Sequence, residues 1–203
     1  MLENGGLPLA QRLHDKDHSW SDLQKLIPHM ITEGLIGYTF SCPDMIGGGL
    51  WTAFLDSTLF DPDLVVRSAQ IHALMPMMQF SAAPWRILEL KHLEAVKKAV
   101  KIRQKFTPYI LQLARESATS GAPIVRSMEY CFPEMDFQSI QDQFMLGDQI
   151  LVAPVVEKGK FEREIILPYG KWIADDGRTY EGGKSYTIEV PFDRLPYFVL
   201  DEK

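Results

Sequence analysis

Cysteine is scarce: Cys42 and Cys131 are the only 2 among 203 residues. They are too few for a disulfide framework and fit no zinc or redox spacing, so buried thiols are the simplest reading. No apolar run approaches the ~18 residues of a membrane span. Residues 1–11 also lack the basic and apolar parts of a signal peptide. No membrane partner is therefore expected for this chain, and its expected location is cytoplasmic. Basic charge is short as well: 21 Lys and Arg face 27 Asp and Glu, for a net charge of -6. Such a surface repels a phosphate backbone, so nucleic acid is not an expected partner. Internal repeats and low-complexity tracts are absent. The glycine run at Gly47, Gly48 and Gly49 lacks the Lys and Ser/Thr of a P-loop and the spacing of a dinucleotide fingerprint.

What is present is a chain that is 46% hydrophobic and 11% aromatic, enough for a buried core. Residues 21–34 read as a helix, with Ser21 and Gln24 as a capping box and Leu23, Leu26, Ile27, Met30 and Ile31 at helical spacing. Gly34 is the expected stop. Residues 35–42 read as a strand buried on both faces, ending at Pro43-Asp44. A second helix is expected over 64–74 and a second strand over 75–80, with Pro76 counting against that strand. The surest element is a long helix from about 90 to 117, striped by Leu93, Val96, Val100, Phe106, Ile110 and Leu113. Pro108 should kink it, and Gly121 and Pro123 should end it. Beyond residue 123, short apolar runs at 150–156, 164–167, 186–190 and 197–200 alternate with turn residues, the texture of an all-β segment. The fold class is thus α/β followed by all-β, divided into residues 1–122 and 123–203. The first part is too short for a whole (β/α)8 barrel of ~250 residues but could supply its last units. Alone it would expose a sheet edge, which calls for a partner.

Two polar clusters could carry chemistry. Arg12, His14, Asp15, Lys16, Asp17, His18 and Trp20 crowd into the loop before the first helix. In a barrel such a loop faces the catalytic rim, although an acidic helix start in water is the simpler reading. His14 and His18 lie four apart, but outside a helix and without an evident third ligand, so no metal is expected. Asp44 ends a predicted buried strand just before the glycines. There a carboxylate is costly unless it has partners or a task, and a turn Asp capping the loop weighs evenly against a functional one. Paired carboxylates with nearby tryptophans suit sugar chemistry.

The run from Asp15 to Leu23, the run from Gly37 to Gly48 and Arg67 with Gln70 to Pro76 together resemble the C-terminal part of the glycoside hydrolase family 31 barrel. The runs at 107–109, 121–126, 142–148, 151–155 and 167–172 resemble its last helix and following β-sandwich. The resemblance covers nearly the whole chain. It implies the C-terminal portion of a (β/α)8 barrel plus a β-sandwich, acting on terminal α-linked sugars with retention and with no cofactor. Asp15 matches the general acid/base, which protonates the leaving oxygen and later activates water. Asp44 matches a substrate-binding aspartate. Arg12 stands where members often carry Trp and is a candidate sugar contact or charge partner. Trp20 joins the substrate-contact candidates, although packing suits it better.

Two departures bear on substrate. Gln79-Phe80-Ser81 replaces the usual Arg-x-His, making Gln79 a further candidate contact, and the Asp44 loop is longer by one residue. With Pro84-Trp85 these features resemble the branch of the myogenesis-regulating glycosidase and bacterial relatives, which implies α-galactoside rather than α-glucoside preference. No residue here matches the family's nucleophile, so the chain alone is expected to be inactive and to need an upstream barrel half, or a second copy, as partner. A non-catalytic carbohydrate-binding or interaction scaffold is the alternative. A third reading pairs Asp15 with Asp17 or Asp44 as an inverting couple, which needs ~6.5–9.5 Å between the carboxyls and room for water. Arg67 could brace a rim carboxylate.

Overall fold

The computed structural model describes residues 10–49, 51–56 and 58–201. Strand β1 (Gln11–Arg12) leads through a loop into helix α1 (Trp20–Leu35), and the chain returns as β2 (Ser41–Cys42), parallel to β1 with Arg12 opposite Cys42. Helix α2 (Pro62–Ala73) then links Ile46 to Phe80, which form a single parallel bridge. These are two successive β-α-β connections, the repeating unit of a parallel barrel. A short α3 (Pro84–Ile87) precedes the long α4 (Leu90–Ser120), which runs through Pro108 and ends at Gly121. Its buried stripe adds Ala95 and Ala99 to the expected residues, while Leu93 and Val100 are only partly covered.

The next strands are β3 (Val125–Arg126), β4 (Phe144–Leu146) and β5 (Ile150–Val152), with a four-residue helix α5 (Met128–Cys131) between β3 and β4. They continue as β6 (Glu162–Leu167), β7 (Lys171–Ala174), β8 (Thr179–Glu181), β9 (Lys184–Glu189) and β10 (Tyr197–Leu200). One antiparallel sheet has the order β3-β4-β5-β10-β7-β8, and the antiparallel pair β6-β9, which brackets β7 and β8 in the chain, forms the second layer. Strand alternation divides the large sheet between two cores. Phe144, Leu146, Ile150, Val152 and Tyr197 join the core of the helices, whereas Met145, Leu151, Trp172 and Phe198 share a core with Ile165, Leu167 and Ile188 of the β6-β9 pair. Gln143 ties the layers as a strand residue would: its amide donates to Ile166 O and accepts from Ile166 N, each at 2.9 Å.

Several expectations are corrected here. The N-cap of α1 is Ser19, whose hydroxyl accepts from Asp22 N, and not Ser21. Gly34 does not stop the helix. It lies inside α1, where a Cβ would sit 2.8 Å from Pro123 Cβ, so its smallness serves packing. The chain turns at Gly37 instead, at φ 98° in the left-handed region that suits glycine beyond a helix end. The turn consumes residues 36–40, leaving a strand of two residues where eight were expected. Of the strand expected over 75–80 only Phe80 pairs, with Ile46, while Arg103 on α4 takes the carbonyls of Met75 and Pro76.

Arg67 corrects the largest misreading. It sits buried on α2 and braces no carboxylate. Its guanidinium donates to Gln70 Oε1 and to the carbonyls of Lys160, Val190 and Arg194, three points of the β part. Burial pushes its pKa down to about 10. Replacing Arg67 with Met keeps the bulk of the stem but leaves those carbonyls without their donor. We expect a loss of about 3–5 kcal/mol in urea unfolding, with Arg67→Lys recovering only part of it because an ammonium cannot reproduce the planar fork.

Candidate active site

Asp15 and Asp44 both follow the C-terminal end of a parallel strand, β1 and β2 respectively. That is the face on which a parallel barrel builds its chemistry. Their environments differ sharply. The Asp15 side chain is 68% exposed, and that of Asp44 is 0% exposed. Asp44 also adopts φ 65°, in the left-handed region that aspartate enters more readily than most non-glycine residues.

Arg12 joins the two carboxylates. Its Nη1 donates to Asp44 Oδ1 and its Nη2 lies 2.6 Å from Asp15 Oδ1. The pair raises the Arg12 pKa, Asp15 contributing first and Asp44 second. The guanidinium fills the space between the carboxyls, where an inverting mechanism would need its water. Asp44 Oδ2 accepts from the Lys16 backbone N–H at 2.9 Å, and the Lys16 ammonium stands 3.7 Å away. That ammonium donates to the carbonyls of Pro43 and Met45. Burial pushes Lys16 down to about 8, against the opposing pull of Asp44. Behind Asp44 lies His72, with Nδ1 facing Ser68 O at 2.7 Å and Nε2 facing Asp44 O at 3.2 Å. Its burial, reinforced by the charge of Lys16, pushes the imidazole down to about 3.

The glycine loop closes over this cluster. Gly49 N donates to Lys16 O at 2.9 Å. A Cβ on Gly48, whose φ is 85°, would fall 2.7 Å from that same oxygen, and one on Gly49 would fall 3.0 Å from Asp15 Cβ. Glycine is required here because backbone meets backbone.

The structure therefore brings together Arg12, Asp15 and Asp44. Gln79 lies beside them: its backbone carbonyl accepts from Ile46 N at 2.7 Å and its Oε1 faces Cys42 Sγ at 3.8 Å. Trp20 is turned away from the cluster, its indole N–H donating to Asp61 Oδ2 at 2.9 Å while its ring packs on the helical core. Lys16, His18, Asp61 and His72 were not singled out in the sequence as site residues. Only the crowding of charge before α1 signalled Lys16 and His18, and nothing local signals Asp61 or His72. Among the described residues no group of three or more His, Cys, Asp or Glu is placed to hold a metal ion, and no helix is long and apolar enough to cross a membrane.

Comparison with known proteins bears on this arrangement. A family model described as the glycosyl hydrolases family 31 TIM-barrel domain matches residues 11–113, and one described as the glycosyl hydrolase family 31 C-terminal domain matches residues 121–202. The chain is 35% identical over 201 residues to the myogenesis-regulating glycosidase of Mus musculus, covering 92% of this chain and 28% of that protein. It is also 35% identical over 184 residues to the SITS-binding protein of Tetronarce californica, covering 87% of this chain and 26% of that one. A solved family 31 dextranase of Flavobacterium johnsoniae, complexed with glucose, superposes with a TM-score of 0.79 at 25% identity, over 91% of this chain and 23% of its own. The chain thus spans well under a third of the length of these relatives.

The burial of Lys16 has a measurable consequence. Below about pH 8 the residue is charged in both states, and above it the folded chain sheds a proton that the unfolded chain keeps up to its ordinary value of 10.5. The unfolded state binds more protons across that window, so the contribution of Lys16 to stability rises with pH there. The difference in unfolding free energy between wild type and Lys16→Met should therefore grow from about pH 7.5 to about pH 10. Urea titrations at the two pH values check it, and a flat difference would contradict the burial.

Proposed function

This chain belongs to glycosyl hydrolase family 31, and from that premise we propose that it supplies the acid/base half of a retaining α-glycosidase site acting on terminal α-linked galactose or glucose. The observation that carries the reading is the fork of Arg12 between an exposed Asp15 and a buried Asp44 at adjacent strand ends. Asp15 protonates the leaving oxygen as the glycosidic bond breaks, then takes a proton from the water that releases the sugar. Arg12 engages its Oδ1 and leaves Oδ2 for that traffic. Asp44 has no accessible oxygen, so the direct sugar contact assigned to it by resemblance passes to Arg12, and Asp44 acts by holding that guanidinium in place. Gln79 stands at the edge of the same rim.

The nucleophile is assigned to a barrel segment beyond the residues matched here, so that these 203 residues alone give no turnover. We divide the chain at 122/123 into a barrel part and a sandwich part. The remaining barrel units are assigned to an apolar groove of about 390 Å³ lined by Phe80, Pro84, Trp85, Leu93, Val96 and Val100. Trp85 is 72% exposed there, and the almost wholly apolar lining suits a covered face. One relative is named for binding and not for hydrolysis, which keeps a non-catalytic sugar-binding scaffold as the second reading.

The test is hydrolysis of α-galactosides and α-glucosides by the chain alone and together with the polypeptide that completes the barrel. Turnover is expected only in the mixture. Asp15→Asn should lower kcat/KM about 10²–10⁴-fold for a disaccharide and much less for a p-nitrophenyl glycoside, whose leaving group needs little protonation in the step that kcat/KM reports. Equal losses on both substrates would remove the acid role from Asp15, and sugar binding without turnover in the mixture would favour the scaffold.

A further inference from the structure

His18 is the residue between the Asp15 loop and α1 that the proposed mechanism leaves unused. Its imidazole is fully engaged by the backbone of two other loops. Nδ1 lies 2.7 Å from Gly47 O, and Nε2 lies 2.8 Å from Asp61 N. A carbonyl can only accept and an amide N–H can only donate, so the contacts define the tautomer: Nδ1 carries the proton and Nε2 carries the lone pair. The ring is stacked on Phe60 at 5.7 Å and 8°, and is flanked by Phe54 at 5.6 Å.

The two ends of this link are consequential. Gly47 begins the glycine loop whose next residues lie against the backbone of Lys16 and the side chain of Asp15. Asp61 is the N-cap of α2, with Oδ1 accepting from Asp63 N and Leu64 N. Its Oδ2 accepts from Trp20 Nε1 and pairs with Lys158 of the β part at 2.9 Å. His18 thus connects the run of three glycines to the backbone N–H of Asp61, a residue whose carboxylate is anchored separately.

We propose that His18, as the neutral Nδ1–H tautomer, is a positioning residue that locks the Gly47–Gly49 loop to the start of α2 and so sets the wall against which Asp15 rests. The inference rests on the reading of Asp15 as acid/base. Its structural half is measured on the chain itself. The ring ¹⁵N spectrum of the full chain should show Nδ1 protonated and Nε2 not. Amide exchange at Asp61 should quicken about tenfold in His18→Phe, which keeps the aromatic stack but offers neither donor nor acceptor, and Gly49 should follow. His18→Asn restores a donor for Gly47 O alone, so it should rescue protection at Gly49 and not at Asp61.

An Nε2–H tautomer in the wild type overturns the proposal whether or not any variant folds. Unchanged exchange at both amides in a folded His18→Phe overturns it as well. The functional half is kinetic: in the completed enzyme His18→Phe should lower kcat on a disaccharide about tenfold with little change in KM. If Asp15→Asn abolishes turnover and His18→Phe leaves kcat intact, the positioning role alone fails. If Asp15→Asn leaves turnover intact, the failure belongs to the acid/base reading, and the positioning role falls with it.

Discussion

The burial of the Asp44 carboxylate is the constraint around which this end of the molecule is organised. A carboxylate withdrawn wholly from water is tolerated only with compensating charge and hydrogen bonds. Two elements contribute them: Arg12 from the end of β1, and the backbone and ammonium of Lys16 from the loop after it, while His72 from α2 lies against the Asp44 backbone carbonyl. Each donor carries its own cost. Lys16 is itself buried and satisfies the rest of its ammonium on the carbonyls of Pro43 and Met45, so the β2 turn is held from both sides. The parallel pairing of β1 with β2 is only two residues long. A ladder that short cannot define register unaided, and the Arg12–Asp44–Lys16 cluster supplies the remaining specification.

A second dependence runs from the helical part to the sheets. Every residue of α2 from Leu64 to Ala73 is buried, including Arg67, Ser68, Gln70 and His72. One side of the helix serves Asp44 through His72, and another serves the β part through Arg67 and Gln70, whose Nε2 donates to Phe192 O. Cutting either set leaves buried polar groups unpaired, so α2 couples the integrity of the sandwich to the geometry of the rim. Lys158 at Asp61 adds an exposed strut at the start of the same helix, worth far less because water and salt screen it.

What could be read from the sequence follows the range over which each signal acts. The amphipathic stripes of α1 and α4 and the turn-punctuated runs after residue 123 are periodic and local, and they mark real elements. Errors arose where a long-range contact decided the outcome. Gly34 looks like a helix stop, but only the approach of Pro123 shows why a glycine is needed there. Residues 75–80 look like a strand, but Arg103 from α4 captures the carbonyls of Met75 and Pro76 and only the far end, at Phe80, pairs. Arg67 looks like a partner for acid because an isolated sequence shows charges and not carbonyls. The clusters containing Asp15 and Asp44 were legible as dense polarity beside strand ends. Their union through Arg12 was not, because residues 12 and 44 meet only after α1 has returned the chain.

The unequal exposure of the two carboxylates decides how Arg12 responds when a ligand reaches the rim. Its link to Asp15 joins two exposed groups, and such pairs contribute about 0–1 kcal/mol. Its link to Asp44 neutralises a carboxylate with no access to water, and removing one partner of a buried pair costs about 3–5 kcal/mol. A hydroxyl competing for the guanidinium therefore displaces it from Asp15 and not from Asp44. The arginine stays anchored on Asp44, and the arm that faced Asp15 is the one left for the competing hydroxyl. Reversing the burial of the two aspartates would reverse that order, leaving the exposed group bound and the buried one stranded. The difference between 68% and 0% exposure thus separates the two aspartates on physical grounds alone, the outer one open to solvent and the inner one held by Arg12 and Lys16.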